Sequence, residues 1–80
     1  MHWYVYLLKC ADGTLYCGAT NDLERRIARH SDGRVKYTRG RLPVEMVWAD
    51  GAGDMREAMR AEAYLKQWTR AAKLILLGLQ

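Results

Sequence analysis

The sequence predicts a small α+β domain, a three-stranded antiparallel sheet flanked by helices in the order β-β-α-β-α-α. Three observations carry this expectation. Two aromatic and β-branched runs stand on either side of Ala11-Asp12-Gly13, two capping-box patterns open helical segments, and a third apolar run lies between those segments. Eighty residues suffice for one hydrophobic core, so a single domain over residues 1–80 is expected.

The first two strands are expected over Trp3 to Cys10 and Thr14 to Ala19. A three-residue loop with Gly13 in the left-handed region and a following bulge would pair Cys10 with Thr14. Leu8 then faces Tyr16 and Tyr6 faces Gly18, because side chains alternate with a period of two. The same register sends Cys10 and Cys17 to opposite faces, which argues against a disulfide. Two thiols also fall short of a zinc site, so both are read as small buried hydrophobes.

Asn21 and Glu24 form a capping-box pattern, with Asn21 as N-cap of a helix over Asp22 to His30. Leu23 and Ile27 anchor its thin apolar stripe, while Arg26 and His30 share another at i, i+4 spacing. Residues Ser31 to Leu42 read as a long loop, or a loop with one helical turn. Pro43 opens a strand over Val44 to Ala49, which ends at the turn-rich run Asp50-Gly51-Ala52-Gly53. Asp54 and Glu57 open a second helix that continues to Trp68, and Thr69 caps a last helix over Arg70 to Leu77. Its apolar end, Leu74-Ile75-Leu76-Leu77, is expected in the core, with a dimer surface as the alternative.

One residue does not fit its place. Advancing about 100° per residue along the second helix puts Ala58, Ala61, Leu65, Trp68, Met55 and Met59 on one buried face, with Glu62 in its midst. A carboxylate in an apolar stripe costs desolvation unless a cation, a donor or a metal compensates it. Either Glu62 forms a structural ion pair with Lys66 or a first-helix arginine, or it is a metal-binding or proton-handling group with Arg26 as its leading neighbour. The tyrosines pose a similar choice. Tyr4, Tyr6 and Tyr16 share one face and are either sheet packing or a platform on which Gly18 clears space for a ligand. His30 is equally compatible with a dipole-favoured helix terminus.

The composition is that of an ordinary globular protein, half hydrophobic and 28% charged. No apolar run approaches the roughly 18 residues of a membrane span, and no secretory signal opens the chain, so a cytoplasmic protein is expected. The net charge of +4 is unevenly spread. Residues 25 to 41 contain seven basic residues and one acid, a local +6 against −2 for the remainder. Such a stretch matches a polyanionic partner, nucleic acid first, or a solvated surface.

Taken in order, Tyr4-Val5-Tyr6, Tyr16-Cys17-Gly18, Asn21 to Ile27 with His30, and Glu62 resemble the GIY-YIG nuclease superfamily. The segments Leu7 to Gly13, Lys36-Tyr37-Thr38-Arg39-Gly40-Arg41 and Pro43-Val44-Glu45 extend the likeness to the small stand-alone bacterial YhbQ-like branch. The resemblance implies a DNA endonuclease that uses one divalent cation, Mg²⁺ or Mn²⁺. It implies that Tyr6 and Tyr16 position and deprotonate the attacking water, and that Gly18 packs closely. It further implies that Arg26 stabilises phosphoryl charge, His30 is a fourth member, and Glu62 binds the metal. Arg25, Arg29, Arg34, Lys36, Tyr37, Arg39 and Arg41 are the expected nucleic-acid contacts. The first tripeptide lacks the family's glycine, and the asparagine that several members use after the glutamate helix has no counterpart, Asn21 being the only asparagine. The expected function is metal-dependent cleavage of branched, nicked or distorted DNA, linked to DNA repair. The alternatives are a non-catalytic nucleic-acid-binding module of the same fold and a protein-interaction domain.

Overall fold

A computed structural model describes residues 2–78. The elements are β1 (Trp3–Cys10), β2 (Leu15–Thr20), α1 (Leu23–Ser31), β3 (Val44–Gly53), α2 (Met55–Lys66) and α3 (Arg70–Gly78). The three strands form one antiparallel sheet in the order β2-β1-β3. This is the predicted α+β architecture and element order.

The hairpin takes the expected register. Leu8 faces Tyr16, Tyr6 faces Gly18 and Leu7 faces Cys17. Gly13 has φ +85°, and the Cys10 amide donates to the Thr14 carbonyl at 2.9 Å, closing the three-residue loop. Both cysteines are free and buried, on opposite faces of the sheet.

Odd-numbered β1 residues carry the main core. Val5 and Leu7, with Cys17 and Ala19 of β2, pack against Ala58 and Leu65 of α2, and Trp48, Trp68, Leu76 and Leu77 close the periphery. Ala58 at 0% exposure lets α2 approach the sheet closely, because an alanine adds only a methyl to the interface. The even-numbered face, with Tyr6 and Leu8 fully buried, is covered by α1 and the loop that follows it.

Several boundaries differ from expectation. The N-cap of α1 is Asp22, not Asn21: its side chain accepts from the Arg25 amide at 3.1 Å, and Thr20 Oγ1 accepts from the Asp22 amide. A carboxylate satisfies the orphan amides and the dipole together, so the charged neighbour takes the cap. The third strand runs through Asp50-Gly51-Ala52-Gly53 instead of stopping at Ala49. Its tail pairs with the start of β1, Tyr4 with Gly51 and Trp3 with Gly53, across a register shift. A partner strand thus overrides local turn propensity. Asp54 caps α2 as expected, accepting from the Glu57 amide at 2.8 Å, but the helix ends at Lys66 with Gln67 as C-cap. Thr69 accepts from the Ala72 amide at the start of α3.

The predicted apolar faces were too wide. Met55 and Met59 are exposed, and the contact face of α2 centres on Ala58, Ala61 and Leu65. Leu76 and Leu77 pack on the core, whereas Leu74 and Ile75 point to solvent. Periodicity locates a stripe, but the width a three-stranded sheet can cover decides how much of it is buried.

Candidate active site

The strand register and the last turn of α1 bring three aromatic groups together. Tyr6 stands on the central strand, Tyr16 on the edge strand, and His30 at the end of α1 comes down onto both. The Tyr6 hydroxyl is 3.2 Å from His30 Nε2. The Tyr16 ring meets the imidazole edge-on at 4.9 Å between centroids, and the Tyr6 ring lies 6.4 Å from that of Tyr16. On its outer side Tyr16 contacts Tyr37 from the loop, at 5.3 Å. Tyr6 and His30 are both fully buried.

The electrostatics follow from that burial. Desolvation, reinforced by Tyr16, pushes the Tyr6 phenol up to about 12, while Arg26 beside it pulls in the opposite direction. His30 is pushed below the usual imidazole range, first by burial and then by Arg26 and Arg29. At neutral pH the centre therefore holds a phenol and a neutral imidazole in hydrogen-bond contact, facing a guanidinium. His30 Nδ1 is tied in turn to Thr38 Oγ1 at 2.7 Å.

Glu62 reaches β2 from the other side of the sheet. Its Oε1 pairs with Lys66 Nζ at 3.1 Å, one helical turn on, and its side chain is 21% exposed. Its backbone carbonyl faces the Cys17 thiol at 3.9 Å. Burial and the Glu62 charge together push Cys17 up to about 11, which keeps it a thiol. Lys66 is held above its usual range by Glu62, and it also feels Tyr16. Lys66 thus stands in relation to both groups, paired with the Glu62 carboxylate and feeling Tyr16 of β2. Arg26 stands with Tyr6 and His30 and is not the ion-pair partner of Glu62.

The space at Gly18 is also used differently from expectation. A Cβ there would overlap the hydroxyl end of the Tyr6 ring, so the glycine makes room for Tyr6 itself and not for a ligand. Tyr4, on the same face, pairs with Thr20 two residues further along the strand.

The basic stretch divides into two groups. Arg25, Arg26 and Arg29 line a cleft of about 360 Å³ together with Thr20, Asn21 and Asp22. Lys36, Tyr37, Arg39 and Arg41 line a second depression beyond Tyr16. Arg34 is exposed between them. Arg41 is engaged internally: its Nε donates to Asp12 at 3.0 Å, its guanidinium lies 4.3 Å from the Tyr37 ring centre, and its carbonyl accepts from the Ala11 amide. It pins the loop to the hairpin. One residue escaped the sequence reading of the site, Thr38 beneath His30, while Lys73 of α3 lines a cleft with Tyr16, Tyr37 and Lys66. Thr38 lies in no periodic pattern that would have singled it out.

Among the described residues, no three His, Cys, Asp or Glu side chains converge on a metal position. A lone half-buried carboxylate fits a largely hydrated cation held jointly with a substrate phosphate, and not a closed protein cage.

Buried Tyr6 and half-buried Tyr16 stand with His30 and Arg26 on one face of the three-stranded sheet, and Glu62 arrives on α2. Residues 2–74 match the GIY-YIG catalytic domain, and the chain belongs to this family of the nuclease superfamily. Within it the chain is similar to the UPF0213 proteins. It is 53% identical over 72 residues to UPF0213 protein SAG0778 of Streptococcus agalactiae, covering 89% of this chain and 82% of that one. It is 46% identical over 71 residues to UPF0213 protein YazA of Bacillus subtilis, covering 88% and 72%. The solution NMR structure of UPF0213 protein BH0048 from Bacillus halodurans matches with a TM-score of 0.64 at 43% identity, over 100% of this chain and 86% of that one. That of EF2693 from E. faecalis gives 0.65 at 37% identity, over 100% and 90%.

Proposed function

We propose that the protein is a divalent-metal-dependent endonuclease that hydrolyses the phosphodiester backbone of DNA, preferring branched, nicked or otherwise distorted sites, and that it serves DNA repair or processing in the cytoplasm. The observation that carries this proposal is the 3.2 Å contact between the Tyr6 hydroxyl and His30 Nε2, beside Arg26 and Tyr16. Selectivity for distorted DNA rests on the small size of the domain, which has little surface for reading base sequence.

A tyrosine held as a phenol is a poor base alone, but one bonded to a neutral imidazole can pass its proton on as it takes another. As the water attacks, its proton goes to the Tyr6 oxygen while the phenol proton moves to His30 Nε2. The centre gains one proton, and the positive charge ends on the imidazole. Burial, helped by Arg26 and Arg29, holds His30 neutral beforehand. Docking of a phosphodiester anion against these guanidiniums offsets their repulsion and makes His30 a better acceptor. Arg26 also balances the charge that spreads over the phosphoryl oxygens. Tyr16, packed against the imidazole, fixes the water's approach. Glu62 would hold Mg²⁺ or Mn²⁺, which when bound adds positive charge at the phosphate and acidifies water. Arg25, Arg29, Arg34, Lys36, Tyr37 and Arg39 supply backbone contacts, with Arg41 as their brace.

Purified protein with Mg²⁺ or Mn²⁺ is expected to cut nicked or branched duplexes. EDTA, Glu62→Ala and Arg26→Ala each should abolish the cut. Equal cleavage by wild type and Glu62→Ala would overturn the assignment. A second reading, a nucleic-acid-binding module without catalysis, is favoured by the Glu62–Lys66 ion pair, which already satisfies the carboxylate. It expects metal-independent, salt-sensitive binding without strand breaks.

A further inference from the structure

We propose that Thr38 is a positioning residue that fixes the tautomer and ring plane of His30, keeping Nε2 unprotonated and open to the Tyr6 proton; this rests on the nuclease mechanism above.

Arg26, beside the Tyr6 oxygen, can only donate, so the single phenol proton points to the other polar neighbour, His30 Nε2. A neutral imidazole carries one proton. With Nε2 accepting, that proton sits on Nδ1 and is donated to Thr38 Oγ1, 2.7 Å away. Both His30 and Thr38 are 0% exposed, so no solvent competes for either ring nitrogen.

The identity of the partner matters as much as its place. The ionisable groups acting on His30 are Tyr6 from β1, Tyr16 from β2, and Arg26 and Arg29 from α1; the loop contributes the uncharged Thr38. A carboxylate under Nδ1 would stabilise the imidazolium at rest and spend the acceptor before the reaction. A hydroxyl orients the ring without charging it. The loop is built to hold that hydroxyl still. The Thr38 amide donates to the Val35 carbonyl at 3.2 Å, the Arg41 amide donates to the Thr38 carbonyl at 2.8 Å, and Arg41 is locked to the hairpin through Ala11 and Asp12. Tyr37, the preceding residue, packs at a tilt against Tyr16 from outside, so consecutive loop residues address the two partners of the same centre.

Nitrogen-15 NMR of the His30 ring decides the matter without any activity measurement. In wild type the protonated nitrogen is expected to be Nδ1. In Thr38→Val, which keeps the shape and removes the hydroxyl, it should move to Nε2, and Thr38→Ser should restore it. Cleavage by Thr38→Val is expected to fall by about ten- to a hundredfold in kcat, the range usual for lost orienting partners, with KM for DNA nearly unchanged. Thr38→Ser should recover most of the rate. A wild-type ring protonated at Nε2 overturns the proposal even if Thr38→Val does not fold, as does a folded Thr38→Val that keeps Nδ1–H. An absence of cleavage by wild type together with the expected tautomers removes the nuclease function and leaves the positioning role of Thr38 intact.

Discussion

Tyr6 and Gly18 face each other across the β1–β2 ladder, and the hydroxyl end of the tyrosine occupies the volume that any side chain at Gly18 would need. The glycine is therefore a condition for where the Tyr6 oxygen can stand. Gly18→Ala must push the ring aside or shift the edge strand. Overpacking of this kind costs about 1–3 kcal/mol. The variant should melt several degrees lower and lose the Tyr6–His30 contact, so cleavage should fall far more than the melting temperature accounts for. Wild-type cleavage by a folded Gly18→Ala would remove Tyr6 from the mechanism.

The depressed His30 sets the sign of two pH effects. The proton acceptor must be neutral, so cleavage should rise with pH through a value below the usual histidine range and then level off. Stability should follow the same direction. The unfolded chain binds the His30 proton at higher pH than the folded one, so the stabilisation is complete above about 6.5, the ordinary histidine value, and is lost as pH falls toward the folded value. Arg26→Ala removes one of the charges that hold His30 down, and should move its NMR titration midpoint upward. A midpoint that stays in place would show that burial alone controls it.

The Glu62–Lys66 ion pair competes with a cation for the same carboxylate. Exposed pairs of this spacing are worth about 0.3–0.5 kcal/mol, so Lys66→Met should lower the Mg²⁺ concentration for half-maximal cleavage by only about twofold. Glu62→Gln should leave cleavage unresponsive to added Mg²⁺. An unchanged Mg²⁺ response in Glu62→Gln would place the ion elsewhere.

Arginines of the basic stretch should separate into two behaviours. Arg34 and Arg39 are exposed, and replacing either by alanine should weaken DNA binding with a salt slope reduced by about one. Arg41→Ala should also loosen the loop, because it breaks the tie to Asp12 and the contact with Tyr37, and should lower stability by about 1 kcal/mol. Thermal melts and binding titrations of the three variants distinguish these outcomes.

Local chemistry was enough to read much of this protein from its residues. Gly13 as the third loop residue determined the hairpin register, because a positive φ is cheap only there, and the register in turn placed Tyr6 opposite Gly18. Asp54 and Thr69 marked their helix starts through caps made within one turn. Helical period alone set Glu62 in the midst of an apolar face, whereas with Met55 and Met59 exposed it stands at the margin of that face, paired with Lys66; the ordered tyrosines, Arg26 and His30 pointed to the family. The tertiary structure decided what depends on distant partners. Pairing with β1 made a strand of Asp50 to Gly53, the limited width of the sheet left Met55 and Met59 in solvent, and the fold set Arg26 beside Tyr6 while Glu62 paired with Lys66. Thr38 shows the difference most plainly. Eight positions separate it from His30 in an aperiodic loop, and only the closure of that loop through Arg41 and Asp12 brings its hydroxyl under the imidazole. Caps, turns and periods are short-range and can be read along a chain, whereas a buried hydrogen bond across a loop exists only once packing has excluded water from both of its ends.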